Sequence, residues 1–227
     1  MFPKDARSRH PRFLEMLARE DLDRLLSNAS TRTLAGGSMA FQQGDESRNL
    51  FVVRSGIVKI YHSYPGGETQ TVSYYGQGML VGAHGSSEWA ELPHVWSAEA
   101  LGDCEVTWLR RPDFLELVDS SHSAAKALLA VTEHKAALLR RLIRVLSAPM
   151  IEHRVALALE YLGALYPIER DEEVEIDARF THQEIAGIVR ASRQSVTVAL
   201  TALERAGRIR RSGKRIFVRA DLSRSTS

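Results

Sequence analysis

The chain has 227 residues, 44% hydrophobic and 26% charged, and its 30 lysines and arginines against 28 aspartates and glutamates leave a formal charge of +2. This is the composition of a folded globular protein with room for two modest domains, not of a disordered one, and its single cysteine, Cys104, excludes an internal disulfide and an iron–sulfur cluster held by several cysteines of one chain. No apolar stretch is long enough to span a bilayer and residues 1–12 lack the apolar core of a secretory signal, so the sequence predicts a cytoplasmic protein with no membrane partner.

Helical spacing opens the fold between Phe13 and Leu26. From Leu34 to Leu109 the chain reads as short strands broken by glycine turns. Phe51–Arg54 and Ile57–Tyr61 alternate or run apolar around Ser55 and Gly56, and Pro65, Gly66 and Gly67 turn the chain before the strand TVSYY. Cys104, in the alternating CEVTWL, is expected as a buried strand thiol. Many short strands at regular turn spacing predict a sandwich or jelly roll over residues 1–119.

Near Ser120 the period changes. Leu128, Val131, Lys135, Leu138, Leu142 and Val145 step by three and four, an apolar seam with one charged interruption, on a helix over residues 120–148. About 27 residues of helix would span about 40 Å. The seam is expected to pack on its own barrel and to pair with the same helix of a second chain, with Leu128, Val131, Leu138, Leu142 and Val145 as dimer contacts. Pro149 ends it, because proline disfavours helical geometry in the residue before it. A C-terminal domain, residues 149–227, starts with the helix Ile151–Leu165, and the acidic run Asp171–Glu175 reads as a solvated loop.

The most informative stretch is Thr181–Val218. Thr181 is placed to cap a helix, with Glu184 closing a capping box and Ile185, Ile188 and Val189 forming the apolar face. Arg190 and Ala191 make a turn. Ser192 caps a second helix carrying Val196, Leu200 and Leu203 at helical spacing and ending at Gly207. A hairpin around Ser212 and Gly213 follows. This is the pattern of a winged helix-turn-helix, whose second helix enters the major groove with its N-terminal residues against the base edges. Arg193 and Gln194 suit guanine and adenine respectively, each by a bidentate pair.

Charge agrees with that reading. From Ala178 onward there are eleven lysines and arginines against three acidic residues, so the remainder of the chain is net negative. A basic module on an acidic body is what phosphate neutralisation requires of a double-stranded DNA binder. Arg208, Arg210, Arg211, Lys214 and Arg215 dominate the excess and are expected to hold the wing near the backbone, positioning the protein without reading sequence.

The order of strand-rich barrel, long helix, then QEIAGIV and SRQSV resembles the CRP/FNR family of bacterial transcription regulators, most specifically in FQQGD, LFVVRSGIVKIY and the C-terminal block. The resemblance implies an α+β chain: an N-terminal double-stranded β-helix (jelly roll) sensor domain resembling cyclic-nucleotide-binding barrels, a long dimerisation helix and a C-terminal winged helix-turn-helix domain. It implies a non-enzymatic homodimer that binds an inverted-repeat operator under control of a small-molecule or gas effector and works with RNA polymerase. Carried over by position, Ser192, Arg193, Gln194, Ser195 and Thr197 would touch bases or phosphates. Thr181, His182 and Gln183 would lie near the backbone, with Lys214 and Arg215 on the wing. Much of the family has a glutamate in place of Gln194, which implies a different operator here.

The sensing segment departs from the family's cyclic AMP binders. They hold the phosphate with a glycine–glutamate pair and, some ten residues on, arginine–serine. Here Gly82 is followed by Ala83, the later positions hold His94 and Val95, and the helix offers Leu139 and Arg140 in place of a threonine–serine pair. Cyclic AMP is therefore not the expected effector. The segment GMLVGAH resembles that of the carbon-monoxide-sensing haem regulators, with His84 at the iron-ligand position and Gly82 replacing their cysteine. A second option is an apolar or aromatic molecule between Trp89, Trp96 and the helix, or no ligand at all. Gly82, Ala83, His84, His94, Trp96 and Leu139 are the candidate effector residues.

Two other classes compete with this reading. A cupin-type metal enzyme needs two close histidines with a further histidine and carboxylate, and His62, His84 and His94 contain no close pair. A signal-independent DNA-binding protein would use the barrel only as a dimer scaffold, and its operator affinity would respond to no effector.

Overall fold

Strand β3 (Asn49–Ser55) shows why LFVV is an unbroken apolar run. Leu50 and Val52 face one side of the sheet and Phe51 and Val53 the other, and all four are buried. The computed structural model describes residues 11–82, 93–165, 168–170, 173–213 and 215–219. Contacts divide them into two compact units whose sequence boundary falls between Ala137 and Leu138. No described helix is long and apolar enough to cross a membrane.

In the first unit the other described strands are β1 (Ser30–Leu34), β2 (Met39–Phe41), β4 (Val58–Ser63), β5 (Thr69–Tyr75), β6 (Leu80–Val81), β7 (Ser97–Ala100) and β8 (Cys104–Arg110). They form two four-stranded antiparallel sheets, ordered β1-β8-β3-β6 and β2-β7-β4-β5. Phe41, Phe51, Val53, Val58, Ile60 and Val106 fill one core. A second core joins Leu50, Val52 and Leu109 to a 3-10 turn (Phe13–Met16) and to helices α1 (Arg19–Leu26), α2 (Arg111–Ser120) and the start of α3 (His122–Ser147). The helical entry is thus broken near Leu17, and α2 is an element that the strand periodicity did not show.

Gly56 is required between β3 and β4. Its φ is +87°, and a Cβ there would stand 2.6 Å from the Asp103 carbonyl oxygen and 2.7 Å from Cys104 Sγ. Cys104 is the buried strand thiol the alternation predicts, its Sγ donating to the Ile57 carbonyl at 3.0 Å.

Helix α3 carries two apolar stripes one residue apart. Val131, Leu138, Leu142 and Val145 are buried by the chain itself, and Leu128 packs on the second core. Leu129, Leu139, Ile143 and Leu146, by contrast, are 59, 43, 61 and 36% exposed. The seam thus packs within its own chain, and the stripe beside it is the more exposed of the two. Lys135, the interruption in the inner stripe, has its ammonium 5.2 Å from the Tyr75 ring centre, and burial lowers its pKa to about 8.

The second unit contains α4 (Ile151–Leu165), β9 (Ile168–Arg170), β10 (Glu173–Ile176), α5 (His182–Val189), α6 (Arg193–Arg205), β11 (Ile209–Ser212) and β12 (Arg215–Arg219). Its sheet runs β11-β12-β10-β9. Residues 173–175, read from sequence as part of a solvated loop, belong to a strand, and Glu175 is only 6% exposed. The alternation in EVEI is the signal that the run of acids obscured.

Candidate nucleic-acid interface

Two short helices need fixed ends to hold a crossing angle, and here each end has a partner. Thr181 Oγ1 accepts from the Glu184 N–H at 3.3 Å and starts α5. Arg190 then takes the left-handed conformation (φ 50°, ψ 58°), and the N–H groups of Arg190 and Ala191 both donate to the Ala186 carbonyl. Ser192 Oγ accepts from the Ser195 N–H at 3.0 Å and starts α6. At its far end Gly207 has φ 66°, its N–H donates to the Glu204 carbonyl, and the Arg208 N–H donates to the Leu203 carbonyl, a Schellman stop. Arg154 on α4 donates to the Val189 carbonyl at 2.9 Å, tying α4 to the end of α5. Ile185, Ile188, Val189, Val196, Leu200 and Leu203 are all buried.

This packing leaves two rows of α6 outward. Arg193 and Thr197 form one, and Thr197 Oγ1 lies 2.9 Å from Nδ1 of His182 on α5. Gln194 and Val198 form the other. Gln194 and Ser195 line a groove of about 420 Å³ with Ile151 and Glu152 of α4 and with Val198, Ala199 and Ala202. Arg193, Gln194 and Gln183 are exposed, and Arg193 makes no ion pair with any described residue. Burial, then the positive charges of Arg211 and Arg193, lower the pKa of His182.

The wing differs from expectation. Its register pairs Ser212 with Arg215, and Gly213, at φ 60°, follows Ser212 out of β11. Lys214 lies outside the described residues. Arg210 binds Glu173 at 2.6 Å and stacks 3.8 Å from the Phe217 ring centre, Arg211 binds Glu204, and Arg215 stands 3.4 Å from Glu175. Three wing arginines are thus held by carboxylates of the same unit. Sequence counting missed this because two of those acids lie on β10, before the basic segment begins.

Of the sensor residues, Gly82, His94, Trp96 and Leu139 are described. Gly82 is buried at φ 83°, its carbonyl accepting from the buried Arg111 at 2.6 Å, and Arg111 also holds Ser47. His94 is 2% exposed and stacks on Phe41 with ring centres 3.7 Å apart and planes 7° from parallel. Trp96 is half-buried and meets His62 edge-on at 5.6 Å. Leu139 lies on the exposed stripe of α3. Ala83, His84 and Trp89 lie outside the described residues. Among the described residues no three histidine, cysteine or carboxylate side chains gather as a metal site would need.

Residues 31–121 match the cyclic nucleotide-binding domain family, and residues 153–223 match the Crp-like helix-turn-helix domain family. The chain is 32% identical over 206 residues to the cyclic AMP receptor protein of Thermus thermophilus, covering 86% of each protein. The chain belongs to the CRP/FNR family. Its fold is also that of FixK2 from Bradyrhizobium japonicum, with a TM-score of 0.73, 19% identity and coverage of 86% of this chain and 94% of that one. The c-di-GMP-responsive regulator CLP of Xanthomonas campestris gives a TM-score of 0.72 at 21% identity, covering 89% of this chain and all of that one. CRP/FNR proteins are transcription regulators and not enzymes. This one binds DNA through its helix-turn-helix, the domain that contains α5 and α6.

Proposed function

We propose that this protein is a homodimeric regulator that binds an inverted-repeat operator, with Arg193 reading a guanine and Gln194 an adenine in each half-site. One observation carries the reading: Arg193 and Gln194 stand exposed on the first turn of α6, and Arg193 is unpaired among the described residues while three wing arginines are bound to Glu173, Glu204 and Glu175. Sequence discrimination then rests on the helix. Thr181, His182, Gln183, Ser192, Ser195 and Thr197 place it against the backbone, and Lys214 and Arg215 add a weaker electrostatic contact. Residues 1–119 form the sensor, 120–148 the pairing helix and 149–227 the output domain, which acts on RNA polymerase.

The effector of this reading is a small molecule or gas other than cyclic AMP. The likeness to a cyclic AMP receptor argues the other way, but His94, in the place of the phosphate-holding arginine, is turned into the core against Phe41. An imidazole stacked inside a core offers no charged fork to a phosphate.

Gel-shift titration of an operator recovered from random duplexes tests the DNA reading. Arg193→Ala is expected to lose roughly 1–3 kcal/mol of discrimination at one guanine position. Unchanged selectivity removes that role. Calorimetry with cyclic AMP tests the effector: micromolar binding that also tightens the operator complex overturns the exclusion, and an operator affinity that responds to no extract of the native host leaves the sandwich as scaffold.

A further inference from the structure

Val198 is the largest apolar group that α6 turns outward, and it is 66% exposed. Four residues separate it from Gln194, so the two share a face about 40° apart and about 6 Å along the axis. Thr197, its neighbour in sequence, cannot serve the same purpose with its hydroxyl, which is engaged by His182 at 2.9 Å and by the Arg193 carbonyl at 3.0 Å. The Gln194–Val198 row instead borders the open groove shared with the start of α4. Every apolar residue on the opposite face of α6 is buried, so Val198 is not part of the packing that holds the helix.

We infer that Val198 reads the 5-methyl group of a thymine. In the major groove a thymine is distinguished by that methyl, and an aliphatic side chain recognises it by excluding water from both surfaces. A base-pair rise of about 3.4 Å puts this thymine roughly two base pairs from the base that Gln194 meets. The operator is therefore specified by a polar contact and an apolar contact in one row. This inference rests on the insertion of α6 into the major groove and adds a second, apolar determinant of specificity to it.

The test replaces each thymine of the half-site in turn by deoxyuridine, which removes only the methyl. Protein purified from its native host, with whatever it carries bound, is titrated against each duplex. One thymine position is expected to lose roughly fourfold in affinity per half-site, the value of one buried methyl, and about fifteenfold when both half-sites are substituted. Val198→Ala, which removes two exposed methyls and leaves the core intact, is expected to bind the thymine and uracil duplexes equally. Indifference of the wild-type protein to every uracil substitution overturns the inference, as does a methyl effect that survives in Val198→Ala. A Val198→Asp variant with altered oligomeric mass and undiminished operator binding would assign the surface to a protein contact instead. Arg193-dependent guanine selectivity without any methyl effect sinks this inference alone; loss of both sinks the reading beneath it.

Discussion

Nδ1 of His182, the first residue of α5, lies 2.9 Å from Oγ1 of Thr197 in the second turn of α6. The threonine hydroxyl donates its own proton to the Arg193 carbonyl at 3.0 Å, so it accepts from the imidazole, and Nδ1 carries the hydrogen. One bond therefore crosses the reading motif and fixes the tautomer of a ring set among cations.

Burial and the nearby arginines hold the His182 pKa below its unfolded value, so between the two values the unfolded chain binds more protons. The stability of the motif with respect to this residue is undiminished above about pH 6.5 and declines as pH falls through that value toward the folded pKa. A proton NMR titration of His182 in the free protein is expected to give a midpoint below 6.5, and a midpoint at or above it contradicts the desolvated, cation-flanked ring.

Arg193 and Arg211 separate binding from stability. Arg211 Nε donates to Glu204 at 2.8 Å, its backbone N–H donates to the same carboxylate at 3.2 Å, and these bonds hold the Glu204 carboxyl below its ordinary pKa. Arg211→Ala is expected to lower the thermal midpoint of the protein, whereas Arg193→Ala changes its stability by no more than about 0.5 kcal/mol and loses DNA selectivity instead. Differential scanning calorimetry beside gel shifts distinguishes them. Equal midpoints for both variants would show that the wing arginine is not a strut.

Arg190 is the sole described non-glycine residue with positive φ. A side chain in that conformation costs roughly 1–2 kcal/mol, of which the greater freedom of an unfolded glycine returns part. Arg190→Gly is therefore expected to stabilise the protein by up to about 1 kcal/mol in urea unfolding. It also removes an exposed cation between the two helices. If that cation meets a phosphate, the slope of log affinity against log salt becomes shallower by about 0.9 per half-site. A loss of stability would mean that the arginine side chain makes a compensating contact in solution.

The helix-turn-helix was legible because caps, turn and apolar spacing are local: Thr181, Ser192, Val196 and Gly207 state their roles within a few residues of chain. The sandwich was legible from strand runs around Gly56. What sequence could not give were pairings made across the fold. The wing looks like a free basic hairpin until β10 brings Glu173 and Glu175 beside Arg210 and Arg215. Nothing near His94 in the sequence shows that Phe41 stacks on it. Composition counts charges, and only tertiary pairing decides which of them remain for a ligand.

The same limit governs the long helix, where two stripes compete and one residue of offset decides between them. Leu129, Leu139, Ile143 and Leu146 keep three- and four-residue spacing when Thr132 and Ala136 are counted between them, which is the a/d pattern of a paired helix, and they are the stripe left uncovered. Pairing is expected through these residues, not through Leu138, Leu142 and Val145. Ile143→Glu places an uncompensated carboxylate in each half of that seam, roughly 3–5 kcal/mol apiece, and should raise the dimer dissociation constant by about a hundredfold or more. Leu142→Ala, cut from the inner stripe, should instead cost about 2–5 kcal/mol of folding stability and leave a folded dimer at low temperature. Sedimentation velocity and urea denaturation on both variants read the two effects separately. A dimer that survives Ile143→Glu and dissociates on Leu142→Ala would return the interface to the inner stripe.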